Sequence, residues 1–502
     1  MGEASGVTTS PQPVRGWWDL SLVALLTAAI GVRISLAARL AYFADEQFSV
    51  RAALLGPGMA WRVALDDLHP PLYNFLLALW IGITGPWPEW HARMLSILIG
   101  TAWVLAVHRM AARHVSRRAA LLAAGIIALH PFAVQFTEPA RWYGLYALLA
   151  TLVADRLELV LSRDRLADRI LLAGTLTLAG WTHVYGVLLA LLSLVVVALY
   201  RRRDVLLPGV LTVASLLPLA PWLANAETID LATVDRTALR LGFVLKPLLL
   251  AFSLVAGGAS YPTDVPSVAC CVVLAAAAPV ALARKRAAIT PVPIVVAWAP
   301  TILITCLVFG PFSLPHYYLA LLAPLALCVA WLADHRDSAT HAVIAAYIGA
   351  GTIGLVHLLT LSQVVREEFT DPWKAVATMA LQAAGRDGVI LTNSEALCLY
   401  ADDRPNCVTF TAGIDSLNPV LAHFPVGRVA IVSAPQSGAR DDVFDLERVL
   451  PTAMWRLGYA LISDTGLVRT NDAALRRRFS TRPFPDFRVR LLVFVKTAST
   501  SR

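Results

Sequence analysis

Apolar residues fall in long runs separated by short polar breaks from about residue 18 to residue 362. A helix needs about 20 apolar residues to cross the hydrocarbon of a bilayer, so the runs predict a polytopic α-helical membrane protein and exclude a soluble core. Basic clusters between the runs mark the cytoplasmic side: Arg109, Arg113, Arg117 and Arg118; Arg156, Arg163, Arg165 and Arg169; Arg201, Arg202 and Arg203; Arg284, Lys285 and Arg286. With a cytoplasmic tail over 1–17, a first helix from Trp18 to Ala41 leads into an external loop over 42–90. An odd number of crossings must then reach Arg109, yet two apolar stretches intervene, Leu72–Gly85 and His91–Val107. Leu72–Gly85 is short and bounded by Pro70-Pro71 and Pro86, so it is expected to lie on the outer surface.

The same parity predicts a helix over Arg118–Phe136 and two short helices over Ile170–Tyr200 that turn outside at Trp181-Thr182-His183-Val184-Tyr185-Gly186. It predicts no crossing by Leu241–Val255, one by Val265–Ala283, a further hairpin that leaves His316-Tyr317-Tyr318 outside, and a last helix over Val343–Leu361. About eleven crossings result, which put the C-terminal region outside. From Val364 the pattern changes to short apolar strings between charged loops. Gly388–Thr392, Arg428–Ser433 and Arg488–Lys496 read as strands, and Trp373–Ala384 and Asp445–Leu457 as helices. The chain thus divides into a membrane module, 18–362, and a small extracytoplasmic α/β domain, 363–502, that has no nucleotide-binding glycine fingerprint.

Composition agrees: of 502 residues, 57% are hydrophobic and 15% charged, too few charges for a soluble surface of this size. The net charge of +8 is concentrated in the cytoplasmic clusters, so topology accounts for it and no nucleic-acid partner is implied. Of six cysteines, Cys270, Cys271, Cys306 and Cys328 lie in apolar runs as packing residues. Cys398 and Cys407 can pair only if their domain is outside the cytosol.

Topology gathers the unusual polar groups at the external helix ends: Asp45, Glu46, His69, Arg93, Glu138, Arg141, Tyr143, His183, Tyr185, His316 and Tyr317. Ionisable groups cost about 2.5 to 3.5 kcal/mol in lipid, so they are expected to line a wet cavity. Adjacent carboxylates at Asp45-Glu46 can take a proton or hold a cation. Glu138 and Arg141 stand three apart, which on one helical face gives an ion pair or a functional pair. Arg93 near its helix end can reach lipid phosphate, and His69, His183 and Tyr185 suit turns as well as a site.

In this order, Asp45-Glu46, His69-Pro70-Pro71-Leu72-Tyr73, Trp90-His91-Ala92-Arg93, Phe136-Thr137-Glu138-Pro139-Ala140-Arg141-Trp142-Tyr143 and Thr182-His183-Val184-Tyr185-Gly186 resemble successive motifs of the GT-C glycosyltransferases, in their protein O-mannosyltransferase-like branch. The resemblance covers about residues 18 to 335. It implies a membrane enzyme of the cell envelope that transfers mannose or another hexose or pentose from a polyprenyl-phosphate carrier, with inversion. The acceptor would be an extracytoplasmic protein, glycolipid or polysaccharide. The resemblance places the catalytic carboxylate on Asp45 with Glu46 beside it, and donor or acceptor groups on His69, Tyr73, Arg93, Glu138, Arg141, Tyr143, His183, Tyr185, His316 and Tyr317. Relatives often carry Arg-Tyr where this chain has His316-Tyr317. Some bind a divalent metal, for which Asp45, Glu138 and His69 would be the ligand set; the sequence leaves this open. Two other classes are a transporter or flippase of lipid-linked sugars, which internal inverted repeats would favour, and a scaffold for the C-terminal domain.

Overall fold

The computed structural model describes residues 20–220 (except 41, 43, 66–68 and 164), 250–257, 265–283, 315–334, 338–365, 373–392, 395–401, 406–409, 427–433, 450–469 (except 453 and 458) and 487–497. The N-terminal tail, most of Leu241–Val255, the segment between Arg284 and His316, and the start of Asp445–Leu457 lie outside these residues.

The membrane module begins with α1 (Leu20–Ala37) and continues through α2 (Ala44–Leu54), α3 (Pro57–Leu65), α4 (Leu72–Thr84) and α5 (Trp90–Ala111). The loop expected over 42–90 therefore folds into three short helices, and α4 packs against α2, α3 and α5. Then come α6 (Arg117–Leu129), α7 (Pro131–Thr137), α8 (Tyr143–Ser162), α9 (Leu166–Thr182), α10 (Val184–Tyr200), α11 (Leu206–Leu216), α12 (Val265–Ala283), α13 (Leu322–Ala333) and α14 (Ser338–Val365). Among the described residues, four helices are long and apolar enough to cross a membrane, or five with α6 and α7 taken as one bent span. Fewer spans than the expected eleven or so are therefore visible by length, and Val184–Tyr200 is a shorter apolar helix.

The helix expected as one piece over Arg118–Phe136 is broken, with 54° between α6 and α7. Pro131 has no N–H for the Ile127 carbonyl, and a residue before proline avoids the helical region; His130 is extended at ψ 128°. Its side chain instead caps α7, accepting from the Phe132 amide at 3.2 Å. The freed carbonyls are taken by Arg33, buried in α1, which donates to Ala128 O at 2.8 Å and Ile127 O at 3.2 Å. Arg33 also donates through Nε to Thr137 Oγ1 at 2.7 Å. Room for Thr137 comes from Gly100 on α5 and Gly144 on α8, where a Cβ would come within 2.8 Å and 3.2 Å of it. The break thus sets where the chain leaves α7 for the next loop.

α9 and α10 turn at His183, where crossing parity divides the long apolar run. Gly186 permits the turn, because a Cβ there would strike the Ala179 carbonyl. At the other end of the bundle, Arg113 on the α5–α6 connection meets Asp155 at 2.5 Å and Glu158 at 3.2 Å on α8, with His114 2.9 Å from Glu158. Basic residues and their partners therefore lie at the end of α5 opposite Arg93.

In the C-terminal domain, α15 (Trp373–Ala384), β1 (Val389–Thr392), α16 (Glu395–Tyr400), β2 (Cys407–Thr409), β3 (Arg428–Ser433), β4 (Tyr459–Arg469) and β5 (Phe487–Lys496) form a five-stranded sheet in the order β2-β1-β3-β5-β4 with flanking helices. β1 is parallel to β2 and β3, while β5 is antiparallel to β3 and β4, with Ile431 opposite Leu492. Both faces are covered: Ile390, Ala430, Val432 and Val493 pack with Val376 and Ala380 of α15, and Leu391, Ile431, Leu492 and Phe494 with Leu450 and Met454. A sheet buried on both faces has continuous apolar strands, which is why β1, β3 and β5 were readable as such. Cys398 and Cys407 form a disulfide that ties α16 to β2.

Candidate active site

Asp45 and Glu46 occupy the first turn of α2, where the helix dipole favours negative charge. Successive helical residues point about 100° apart, so the two carboxylates face different surroundings. Glu46 is fully buried and Asp45 is exposed. The Glu46 carboxylate is gripped by Arg93 of α5, with Nε to Oε1 at 2.8 Å and Nη2 to Oε2 at 2.6 Å. It also accepts from the Ala140 amide at 2.7 Å. Arg93, itself fully buried, donates through Nη1 to the Ala37 and Leu40 carbonyls at 2.9 and 2.6 Å, and its Nε is 3.3 Å from Glu138. This pair and its hydrogen bonds lock the end of α1, the start of α2, α5 and the α7–α8 loop together.

Glu138 and Arg141 do not share a helical face: α7 ends at Thr137 and α8 begins at Tyr143, so both lie in the connecting loop. Pro139 interrupts the helical hydrogen bonding there, and the Arg141 amide donates to the Pro139 carbonyl at 2.7 Å. The pair splits: Glu138 turns to Arg93, while Arg141 Nη1 donates to the Asp45 carbonyl at 3.0 Å and Ser49 Oγ at 2.8 Å. Tyr143 donates its hydroxyl to Asp45 Oδ2 at 3.2 Å, and the Arg141 guanidinium lies 5.9 Å from the Tyr143 ring centre. Tyr73 is buried, its hydroxyl 2.6 Å from Ser96 Oγ, which lies 3.4 Å from the Arg141 carbonyl.

Aromatic rings close one side of this group. Trp142 stacks on His183 at 3.9 Å and lies 5.3 Å from His69 and 5.7 Å from Tyr317. His316 is 4.5 Å from Tyr143, and Tyr185 is 4.8 Å from His183 and 5.7 Å from Tyr317. Burial holds the His183 imidazole well below the usual histidine range, and His69, His316 and Arg141 push it in the same direction. Its Nδ1 accepts from the Tyr185 amide at 3.2 Å and caps α10, which agrees with a neutral ring.

The twelve residues expected at the site therefore fall at one end of the bundle in two sets. Arg141 and Tyr143 contact Asp45, and the rings of His316, Tyr317, His183, Tyr185 and His69 continue from Tyr143 as one aromatic cluster. Glu46, Arg93, Glu138 and Tyr73 lie buried behind it. The set Asp45, Glu138 and His69 does not fit a single ion: Glu138 is turned to Arg93, and among the described residues no three His, Cys, Asp or Glu side chains converge as metal ligands. Sequence reasoning passed over Arg33, Ser49, Ser96 and Trp142. Arg33 carried a readable mark, a charge in the middle of an apolar run; Ser49 and Ser96 carried none.

No protein-family model matches the chain, and no curated protein matches it. Solved structures do. ArnT from Cupriavidus metallidurans bound to undecaprenyl phosphate superposes with a TM-score of 0.56 at 15% identity, over 95% of this chain and 98% of that one. The same protein in the apo state gives 0.50 at 15% identity, over 94% and 97%. The Archaeoglobus fulgidus oligosaccharyltransferase in complex with Zn and sulfate reaches 0.47 at 13% identity, over 82% and 67%. At such identities the likeness is one of fold, and it extends over nearly the whole chain, C-terminal domain included.

Proposed function

We propose that this chain is a membrane glycosyltransferase that moves a sugar from a polyprenyl-phosphate carrier to a hydroxyl of an extracytoplasmic acceptor. The observation that carries the reading is the division of labour among three clustered carboxylates: Glu46 and Glu138 are buried against Arg93, and Asp45 alone is open, at a helix N-terminus, with Tyr143 and Arg141 upon it. The shared fold with ArnT, solved with undecaprenyl phosphate bound, supports a polyprenyl-phosphate carrier.

Asp45 accepts the proton of the acceptor hydroxyl as its oxygen bonds to the anomeric carbon, and the bond from that carbon to the carrier phosphate breaks. The phosphate leaves with the bonding electrons, and attack from the opposite face inverts the centre. Phosphate is a good leaving group, so this chemistry does not need the separated acid and base of a glycosidase. Arg141, beside Asp45, supplies positive charge for the departing phosphate. Arg93 and Glu46 act behind Asp45 by holding α2 and the α7–α8 loop. His69, Tyr185, His316 and Tyr317 line the sugar and carrier path. The disulfide supports an extracytoplasmic C-terminal domain, since such bonds persist in oxidising compartments.

Membranes containing the protein are incubated with radiolabelled undecaprenyl-phosphate mannose and undecaprenyl-phosphate arabinofuranose, and labelled products are isolated. Transfer by the wild type and its loss, by about 10³-fold or more, in Asp45→Asn is the expected result. Near-normal transfer by that variant removes Asp45 as the base. Passage of intact donor across the bilayer without transfer identifies a flippase instead.

A further inference from the structure

We propose that Tyr400, from the C-terminal domain, is a positioning residue for Asp45. The inference rests on Asp45 being the base. Tyr400 does not touch Asp45; it holds the chain from which α2 begins. Its hydroxyl oxygen accepts from the Tyr42 amide at 2.7 Å, two residues before α2 begins. Its ring lies 5.2 Å from Trp87 and 6.5 Å from Tyr42, and Tyr42 and Trp87 are 5.5 Å apart, so three aromatic residues from three segments share one contact. Tyr400 packs against the core of the membrane module and also against the apolar face of the sheet under α15.

From Tyr42 the contacts run to the site in two directions. Its carbonyl accepts from Gln47 Nε2 at 2.8 Å, closing the first turn of α2 around Asp45 and Glu46. Its ring lies 5.3 Å from the Arg93 guanidinium, which holds Glu46, the residue beside Asp45. The Tyr42 hydroxyl donates to the Pro86 carbonyl at 2.5 Å, so the residue is fixed at backbone, ring and hydroxyl. Tyr400 in turn ends α16, which the Cys398–Cys407 disulfide fastens to β2. Docking of the C-terminal domain thereby sets the angle at which Asp45 enters the site, and a base displaced by a fraction of an ångström loses rate before it loses substrate. The domain thereby becomes part of the catalytic geometry.

The test compares wild type with Tyr400→Phe. Tyr400→Phe keeps the ring and removes only the oxygen that accepts from Tyr42. With the same two undecaprenyl-phosphate donors and the acceptor of the membranes, kcat falls about tenfold with the donor KM within about twofold. Amide hydrogen exchange over residues 42–50 rises in Tyr400→Phe while that of α5 is unchanged, which reports the loosening of α2 without reference to activity. Unchanged kcat in Tyr400→Phe or unchanged exchange over 42–50 overturns the proposal and leaves the glycosyltransferase reading intact. A wild type that transfers from neither donor, with exchange still raised in Tyr400→Phe, removes that reading and leaves the hold of Tyr400 on α2 standing.

Discussion

At the scale of single residues, the site separates charge that holds from charge that is free to react. Glu46 and Arg93 are both fully buried and joined by two hydrogen bonds, and breaking such a pair leaves an uncompensated charge that costs about 3–5 kcal/mol. Glu46→Gln is therefore expected to lower the thermal midpoint in detergent sharply, whereas Asp45→Asn, at an exposed side chain next in sequence, leaves the midpoint within about a degree. Equal midpoints for the two variants would contradict the assignment. His183 adds a pH dependence of known sign. Its folded-state pKa lies well below its unfolded value of about 6.5, because the ring is buried near His69, His316 and Arg141. Below about pH 6.5 the unfolded chain therefore binds a proton that the folded one refuses, and stability drops by up to about 1.4 kcal/mol per pH unit until the folded pKa is reached. Above pH 6.5 this contribution is complete. In His183→Gln the part of the midpoint's acid decline that belongs to this ring should disappear, as followed by thermal scans from pH 7.5 to 5.

At the scale of elements, the bend between α6 and α7 presents the α7–α8 loop, and Arg33 is what makes the bend tolerable in an apolar surrounding. A proline break leaves carbonyls that lipid cannot satisfy, and here a guanidinium from the neighbouring helix satisfies both. Arg33→Leu strands the Ile127 and Ala128 carbonyls at about 1–3 kcal/mol each. It is expected to lower the thermal midpoint and reduce transfer together, and Arg33→Lys, a single charged point in place of a planar fork, falls between. Wild-type behaviour of Arg33→Leu in both assays would show that water serves these carbonyls instead. What could be read beforehand follows from the same physics. Apolar length and proline boundaries marked α4, crossing parity marked the α9–α10 hairpin, and doubly buried strands marked β1, β3 and β5, because those patterns are imposed by burial and by the bilayer. The helical fold of Asp45–Leu54 was not legible, since a polar helix covered by neighbours has neither apolar length nor a clean stripe. Glu138 and Arg141 misled for a related reason: spacing of three implies a shared face only while the helix continues, and Pro139 ends it. The partners of Glu46 come from 47 and 94 residues away, separations that no local pattern encodes.

At the scale of the whole molecule, function depends on orientation: the candidate site and the basic residues at the α5–α6 connection sit at opposite ends of the bundle, and the C-terminal domain reaches the site end through Tyr400 and Tyr42. Under the proposed function positive residues face the cytoplasm and the disulfide an oxidising compartment, so two independent chemistries predict the same orientation. Two exposed positions test it. Asp387 lies in the C-terminal domain between α15 and β1, and Arg117 opens α6 beside the basic cluster. Cysteines at these positions are read with a membrane-impermeant maleimide on intact cells, against a background in which Cys398 and Cys407 are paired and Cys270, Cys271, Cys306 and Cys328 lie in apolar runs of the sequence. Asp387→Cys should label before permeabilisation and Arg117→Cys only after it. The reverse pattern would put Asp45 on the cytoplasmic face, where cytosolic nucleotide sugars compete as donors and the disulfide would be reduced. A carrier facing outward would then have no role, so labelling from the wrong side would remove the polyprenyl-phosphate donor along with the topology.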